Sequence, residues 1–423
     1  MKGARLTGLL LVAMVVAALG PALPGGWAAT KRAPRTAQAP DQLLRILRSG
    51  SREFRSTLKH SSAREIQIIY TQIDRDREGK PKLNTFRYRA SPRRFYYPAS
   101  LVKLPLAALA LEKIKRLGLP GVTRDTRMRI EAAGSCQPLA DTDPTSSTGF
   151  PSLAHYIRKV FVVSDGDAYN RLYEFLGPDQ INERLREMGY SSSYIVHRFA
   201  DCSFRDNELT GPVVFLDGAG AQIYRQAAEV ATRYYSHPLG FVKRGRAQII
   251  RGRRVRRPKD FSGLNFISLE DMHEMLIALT LPEAAPESRR FDLDEQDRAF
   301  LLDSMQMYPR ESDWPAYPES EYPDGYVKYL IFGPSRERID PAIRIYNKVG
   351  QSYGYLSDCA YIVNRERGIE FFLSAVIYSD RDGVMNDGKY DYEKVGLPFL
   401  GELGRLVYRY EEDRNIKSNG ATR

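Results

Sequence analysis

Residues 98–106 read Pro98-Ala99-Ser100-Leu101-Val102-Lys103-Leu104-Pro105-Leu106. Positions i and i+3 of a helix share a face, so this spacing brings the Lys103 amine to the Ser100 hydroxyl. Proline is tolerated only in the first turn of a helix, so Pro105 places Ser100 at the start of a helix that the apolar period carries through 101–117. Lys103 then sits among Leu101, Val102, Leu104 and Leu106, and partial desolvation lowers a lysine's pKa far enough for it to act as a base. The free N–H groups and positive dipole end of the helix favour negative charge developing at Ser100.

Two further strings follow in chain order, Ser164-Asp165-Gly166 and Lys348-Val349-Gly350. The chain has no H-E-x-x-H and no phosphate-binding G-x-x-x-x-G-K-[ST]. The histidines at 60, 155, 197, 237 and 273 lack the paired spacing of a metal site. No cofactor is implied.

Around these strings the hydropathy pattern predicts an amphipathic helix over 41–58 capped by Asp41, a hairpin from 66–73 and 83–88, and helices over 154–163 and 167–176. Strands return at 343–348, 355–363 and 369–378, with a turn at 364–368, and a helix over 397–410 ends the pattern. Strands at both ends with helices between them predict one α+β domain over 41–412. Its N- and C-terminal segments share an antiparallel sheet, and the middle packs as an all-helical lobe.

The ordered set S-x-x-K, S-D-x and K-x-G resembles the penicillin-recognising serine hydrolases, most closely their class A β-lactamase-like branch. The resemblance runs patchily over 42–410 and is poor between 190 and 335. It implies that Ser100 is the nucleophile, Lys103 its general base or proton relay, Ser164 the group that passes a proton to the leaving nitrogen, and Lys348 the charge that meets a substrate carboxylate. It implies further that the backbone N–H groups of Ser100 and Gln351 form an oxyanion hole, and that Gly350, Gln351, Ser352, Asp165 and Asn170 contact substrate. Three positions depart from the family pattern. Gly166 stands where the family has an asparagine, Val349 where it has a hydroxyl that Ser352 would replace, and no E-x-x-L-N string supplies a water-activating glutamate. Glu208, in Arg205-Asp206-Asn207-Glu208-Leu209, is the nearest candidate, with Asp201 as the other.

The functions implied are β-lactam or related amide and ester hydrolysis, a penicillin-binding or DD-peptidase-like or esterase protein with slow deacylation, or a retired domain that binds or senses cell-wall fragments. The substrate is then a small molecule or a peptidoglycan-derived one.

Lys2 and Arg5, the apolar run 9–19 and the small residues up to Ala29 read as a secretory leader, so export to a periplasmic or extracellular space is expected. Residues 30–40 read as a tether and 413–423 as a disordered tail. Of three cysteines, Cys136 and Cys202 fall in loops of the lobe, where an exported chain can oxidise them together, and Cys359 falls on a strand as a buried thiol.

The 423 residues carry 63 Lys and Arg against 52 Asp and Glu, with 43% hydrophobic residues, a composition that excludes disordered, collagenous and coiled-coil chains. Without Lys2, Arg5 and the nine bases of 243–259 the two signs balance. That tract, within an insert at 241–261, contains no acid and reads either as a solvated flexible loop or as a cationic surface for anionic lipid, envelope polymer or an acidic partner. No aromatic residue interrupts it to stack bases, which argues against nucleic acid.

Overall fold

Every alternate residue of the first strand belongs to a different core. In the computed structural model, which describes residues 41–420, β1 (Gln67–Arg75) buries Ile69 and Ile73 with the helical lobe. Its Ile68 and Tyr70 are buried on the other face, against the terminal helices. Period-two alternation would expose one face of an open sheet; here both faces are covered, so each face carries buried apolar side chains.

Four more strands complete the sheet: β2 (Pro81–Tyr88), β3 (Ile343–Ser352), β4 (Tyr355–Asn364) and β5 (Ile369–Tyr378), in the order β3-β4-β5-β1-β2 and antiparallel throughout. The N-terminal hairpin and the C-terminal strands thus share one sheet, as the sequence pattern predicts. β3 is an edge strand. It runs four residues beyond the expected end at 348, because Tyr353 and Gly354, both at positive φ, make a two-residue turn that keeps Ser352 paired with Tyr355.

On one face lies the helical lobe, built on Lys103–Leu117, Leu153–Val162, Gly166–Leu176, Pro178–Glu187, Leu269–Thr280 and Glu295–Gln306. The lobe is not wholly helical. It also carries a short antiparallel ladder of Arg127–Ile130, Val213–Leu216 and Gln222–Gln226.

On the other face lie Asp41–Arg48, Arg52–Lys59 and Leu397–Gly420. The single helix expected over 41–58 is two, because Ser51 caps the second one with its hydroxyl on the Phe54 N–H. The tail expected from 413 is helical as far as Gly420. Side chains beyond 412 anchor it to the sheet: Arg414 binds Asp74, Glu411 and the Ile73 carbonyl, and Asn415 reaches the Arg367 carbonyl. The leader at 1–29, the tether at 30–40 and the last residues, 421–423, lie outside the described residues.

The tract 243–259 is a twisted ribbon rather than a flexible loop. Lys243–Arg244 pairs with Lys259–Asp260, and Ala247–Ile250 pairs with Arg253–Val255. Val384–Met385 extends the second ladder in parallel. Backbone pairing, invisible in a run of like charges, holds it in place.

The last helix approaches the turn 329–333 through glycine. A Cβ on Gly404 would lie 2.2 Å from the Ile331 nitrogen, and one on Gly401 would lie 2.9 Å from Gly333. Gly404→Ala is therefore expected to destabilise the fold by about 1–3 kcal/mol through overpacking. The check is the urea midpoint, and an unchanged midpoint would contradict this close approach.

Candidate functional site

Ser100 lies in a 3-10 turn, Ala99–Val102, that leads directly into the Lys103–Leu117 helix. Ala99 is held at φ +45°, a conformation costly for a residue with a Cβ. The buried side chains of Leu101, Val102, Leu104 and Leu106 hold the turn.

Lys103, only 2% exposed, donates to the Ser100 hydroxyl at 2.9 Å and to the Ser164 hydroxyl at 3.2 Å, and it contacts the Ser164 carbonyl. Burial pulls its pKa down to about 7, against the opposing pull of Asp165. The Phe199 ring covers the ammonium at 5.1 Å.

Ser164, at φ +60°, joins the Leu153–Val162 helix to the Gly166–Leu176 helix. Its hydroxyl also accepts from Lys348 at 2.8 Å. Lys348 projects from β3 and is 2% exposed; burial and the charge of Lys103 hold its pKa far below the usual lysine range. The result is a continuous chain from the Ser100 hydroxyl through Lys103 and Ser164 to Lys348. Such a chain can take a proton from Ser100 and return it to a group leaving near Ser164.

Gly350 lets β3 approach this turn. A Cβ there would lie 2.3 Å from the Pro98 carbonyl oxygen and 2.6 Å from the Ser357 hydroxyl. Two cavities meet at Ser100 and Gln351. One, about 700 Å³, is lined also by Tyr97, Lys103, residues 197–202, Phe204, Asn207, Ser352 and Tyr353. The other, about 580 Å³, is walled by Ser164, Val349 and the insert 321–336, including Tyr326, Tyr329 and Arg336.

The wall at 197–207 is heavily tied. Arg198 is paired with Glu174 at 2.7 Å, both 1% exposed, and it donates to the carbonyls of Asp206 and Leu209. Asn170 accepts the Phe199 N–H at 2.8 Å. A disulfide joins Cys202 to Cys136, and the Asp206 carboxylate holds Ser135 beside it. Cys359 is a buried free thiol.

The sequence-predicted residues therefore divide. Ser100, Lys103, Ser164 and Lys348 come together, with Gly350, Gln351 and Ser352 alongside. Asp165 does not line either cavity; its carboxylate caps the following helix by accepting the Ala168 N–H at 2.7 Å. Asn170 is likewise absent from the lining and supports the Phe199 backbone instead. Glu208 is not brought in: it ends the short helix Phe204–Glu208, outside both linings. Asp201 does line the larger cavity.

Sequence reading missed Phe199, the Arg198–Glu174 pair and a third buried lysine. Lys328 is fully buried, bonded to Asn347 and to the carbonyls of Met305 and Ile345. Asn347 in turn donates to Asp358 at 2.8 Å, and the Asp358 carboxylate accepts the N–H groups of Tyr329 and Leu330. This network fixes Tyr329, whose hydroxyl donates to the Gln351 side chain at 2.9 Å. No local signal singles this network out, since Arg344, Lys348 and Gln351 on one strand and Ser357 and Asn364 on the other are polar as well.

The model of the beta-lactamase enzyme family matches residues 51–410. No curated protein matches the chain. Among solved structures it is similar to a β-lactamase from Desulfarculus baarsii, at 13% identity over 88% of this chain and 98% of that one, with a TM-score of 0.47. It is similar also to PBP-A, at 13% identity, 88% and 96% coverage and 0.47. A β-lactamase from Streptomyces albus G gives 12%, 85%, 99% and 0.45. The match of the family model spans the helix that carries Ser100 and Lys103, the Ser164 loop and the Lys348 strand, and by it the chain belongs to the beta-lactamase enzyme family.

Proposed function

We propose that this chain is an exported serine hydrolase that opens amide or ester bonds, β-lactams among them, through an acyl-enzyme on Ser100 that deacylates slowly. The observation that carries this reading is the buried Lys103 at 2.9 Å from the Ser100 hydroxyl, with Ser164 linking it to Lys348. Neutral Lys103 takes the Ser100 proton as the Ser100 oxygen attacks the carbonyl carbon. The backbone N–H groups of Ser100 and Gln351 receive the negative charge on the carbonyl oxygen. Ser164 passes a proton to the leaving nitrogen or oxygen and is reprotonated through Lys103. Lys348 faces the substrate carboxylate.

Slow deacylation is supported by the wall at 197–207. Among the described residues, the only carboxylate that lines the larger cavity is the exposed Asp201, and an aromatic ring, Phe199, covers Lys103. Water beside an acyl-Ser100 in that cavity then lacks a buried carboxylate to activate it. Export is supported by the leader-like residues 1–29 and by the Cys136–Cys202 disulfide, since disulfides persist in oxidising compartments such as the periplasm or the extracellular space.

Intact-mass measurement after incubation with a penicillin is expected to show a persistent adduct on the wild-type chain and none on Ser100→Ala. Rapid return to free enzyme with consumption of the penicillin would replace slow deacylation with efficient β-lactamase turnover. No adduct on any lactam or ester would favour a retired binding domain.

The pH dependence follows from Lys103. Its folded pKa lies below the ordinary value, so the neutral base accumulates as pH rises through about 7. The acylation rate is expected to fall about tenfold per pH unit below that point and to level above it. A rate independent of pH across neutrality would remove Lys103 from the role of base.

The wall itself can be tested separately. Glu174→Ala leaves the Arg198 guanidinium buried and unpaired, and is expected to cost about 3–5 kcal/mol of stability, read from urea unfolding. An unchanged midpoint would show that the pair does not hold the loop.

A further inference from the structure

The ribbon at 243–260 divides its charges between two tasks. Arg244 and Lys259 are built into the domain: Arg244 pairs with Glu65 at 3.2 Å and stacks on Phe95, while Lys259 is half-buried over the rings of Tyr353, at 4.7 Å, and Phe261. Tyr353 lines the larger cavity, and the charge of Lys259 is felt at His197, another residue of its wall. Arg251, Arg253, Arg254, Arg256 and Arg257 are different. All five are exposed, and none forms an ion pair among the described residues. Some exposed arginines elsewhere pair, as Arg75 with Glu370, Arg338 with Glu319 and Arg367 with Glu412, and others do not; what sets the ribbon apart is that five unpaired ones gather within residues 251–257.

Five uncompensated guanidinium groups on an ordered ribbon repel one another, a cost that an anionic ligand would relieve. The ribbon runs from the Arg251-Gly252 turn, both residues at positive φ, back to Lys259, which lies over the ring of the cavity residue Tyr353. A chain lying along it is delivered towards Ser100. There the two cavities, about 700 and 580 Å³, leave room on both sides of the serine for an extended chain, and edge strand β3 offers backbone groups for it to pair with.

We propose that the ribbon is an exosite for a carboxylate-rich, amide-bearing chain, an acidic polypeptide or peptide polymer, whose acyl bond it presents to Ser100. The inference rests on the acyl-enzyme reading for what happens at Ser100. That reading also selects the ligand: a lipid headgroup or a phosphate polymer brings charge but no amide bond to the serine.

The test uses the full chain and fluorescein-labelled poly-L-glutamate. Anisotropy should report binding that weakens steeply with salt, and replacing Arg251, Arg253, Arg254, Arg256 and Arg257 by Gln should weaken it at least about tenfold. Bound polyglutamate should also slow the acylation of Ser100 by penicillin, and Lys259→Gln should uncouple the two, leaving binding but removing the competition. The thermal midpoint of each variant reports its folding, and the double change Arg253→Gln with Arg254→Gln gives a milder variant that should show a smaller loss. Equal affinity in wild type and the five-fold variant overturns the exosite. Binding that leaves acylation untouched overturns its connection to the cavity. Tighter binding of polyphosphate, or of phosphatidylglycerol vesicles, overturns the choice of a carboxylate chain. Because anisotropy needs no chemistry, a wild-type protein that binds polyglutamate but is never acylated would refute the reading of Ser100 while leaving the ribbon's result intact.

Discussion

The arrangement depends on one buried amine. Lys103 is a poor candidate for burial, since an ammonium loses several kcal/mol of hydration in a protein interior. The fold compensates with oxygen acceptors from Ser100 and Ser164 and with the face of Phe199. Lys348 approaches the same Ser164 hydroxyl from the sheet, and two cations around one oxygen disfavour each other. Burial favours a neutral amine beside Ser100, and burial and the charge of Lys103 together hold Lys348 down. The backbone carries a cost for this as well, at Ala99 and Ser164, both at positive φ. Two large cores hold those conformations in place.

The sheet divides the labour between its faces. The lobe face presents Ser100, Lys103 and Ser164 to Lys348. The other face holds the network of Lys328, Asn347 and Asp358 behind the same strand. There, burial pushes the Asp358 carboxyl up to about 6, against the bonds it accepts from Asn347 and the Leu330 and Tyr329 backbone. Burial brings Lys328 down to about 7, against the pull of Asp358. The network ties the insert at 321–336 to β3 and so builds the wall of the smaller cavity.

Much of the fold is legible as periodicity. β4 and β5 appear within a residue of their expected bounds because runs of Val, Ile and Phe between turn residues have few other ways to be buried. Elements held by long-range contacts are less legible. The last helix continues past 412 through Arg414 and Asn415 meeting Asp74 and the 365–368 turn, and nothing local in those residues announces such partners. The basic ribbon reads as a loop because like charges suppress the period-two signal, while backbone pairing to Val384–Met385 is independent of side-chain type. Proximity in sequence to a loop pattern points to Glu208. Its own helix leaves it outside the cavity, and the disulfide and the Arg198–Glu174 pair bring Phe199 and Asp201 to the wall instead.

The amino-acid sequence by itself determined the α+β order of elements and the identity of the four polar residues at the centre, since i,i+3 spacing at a helix start and a lysine-glycine pair on a strand are local properties. Only the tertiary structure decided what surrounds them: which loop residue faces Ser100, where the two cavities open, and that the basic tract ends against Tyr353. Those outcomes rest on contacts between segments up to hundreds of residues apart in the chain, whose energies depend on burial and pairing that no local window contains.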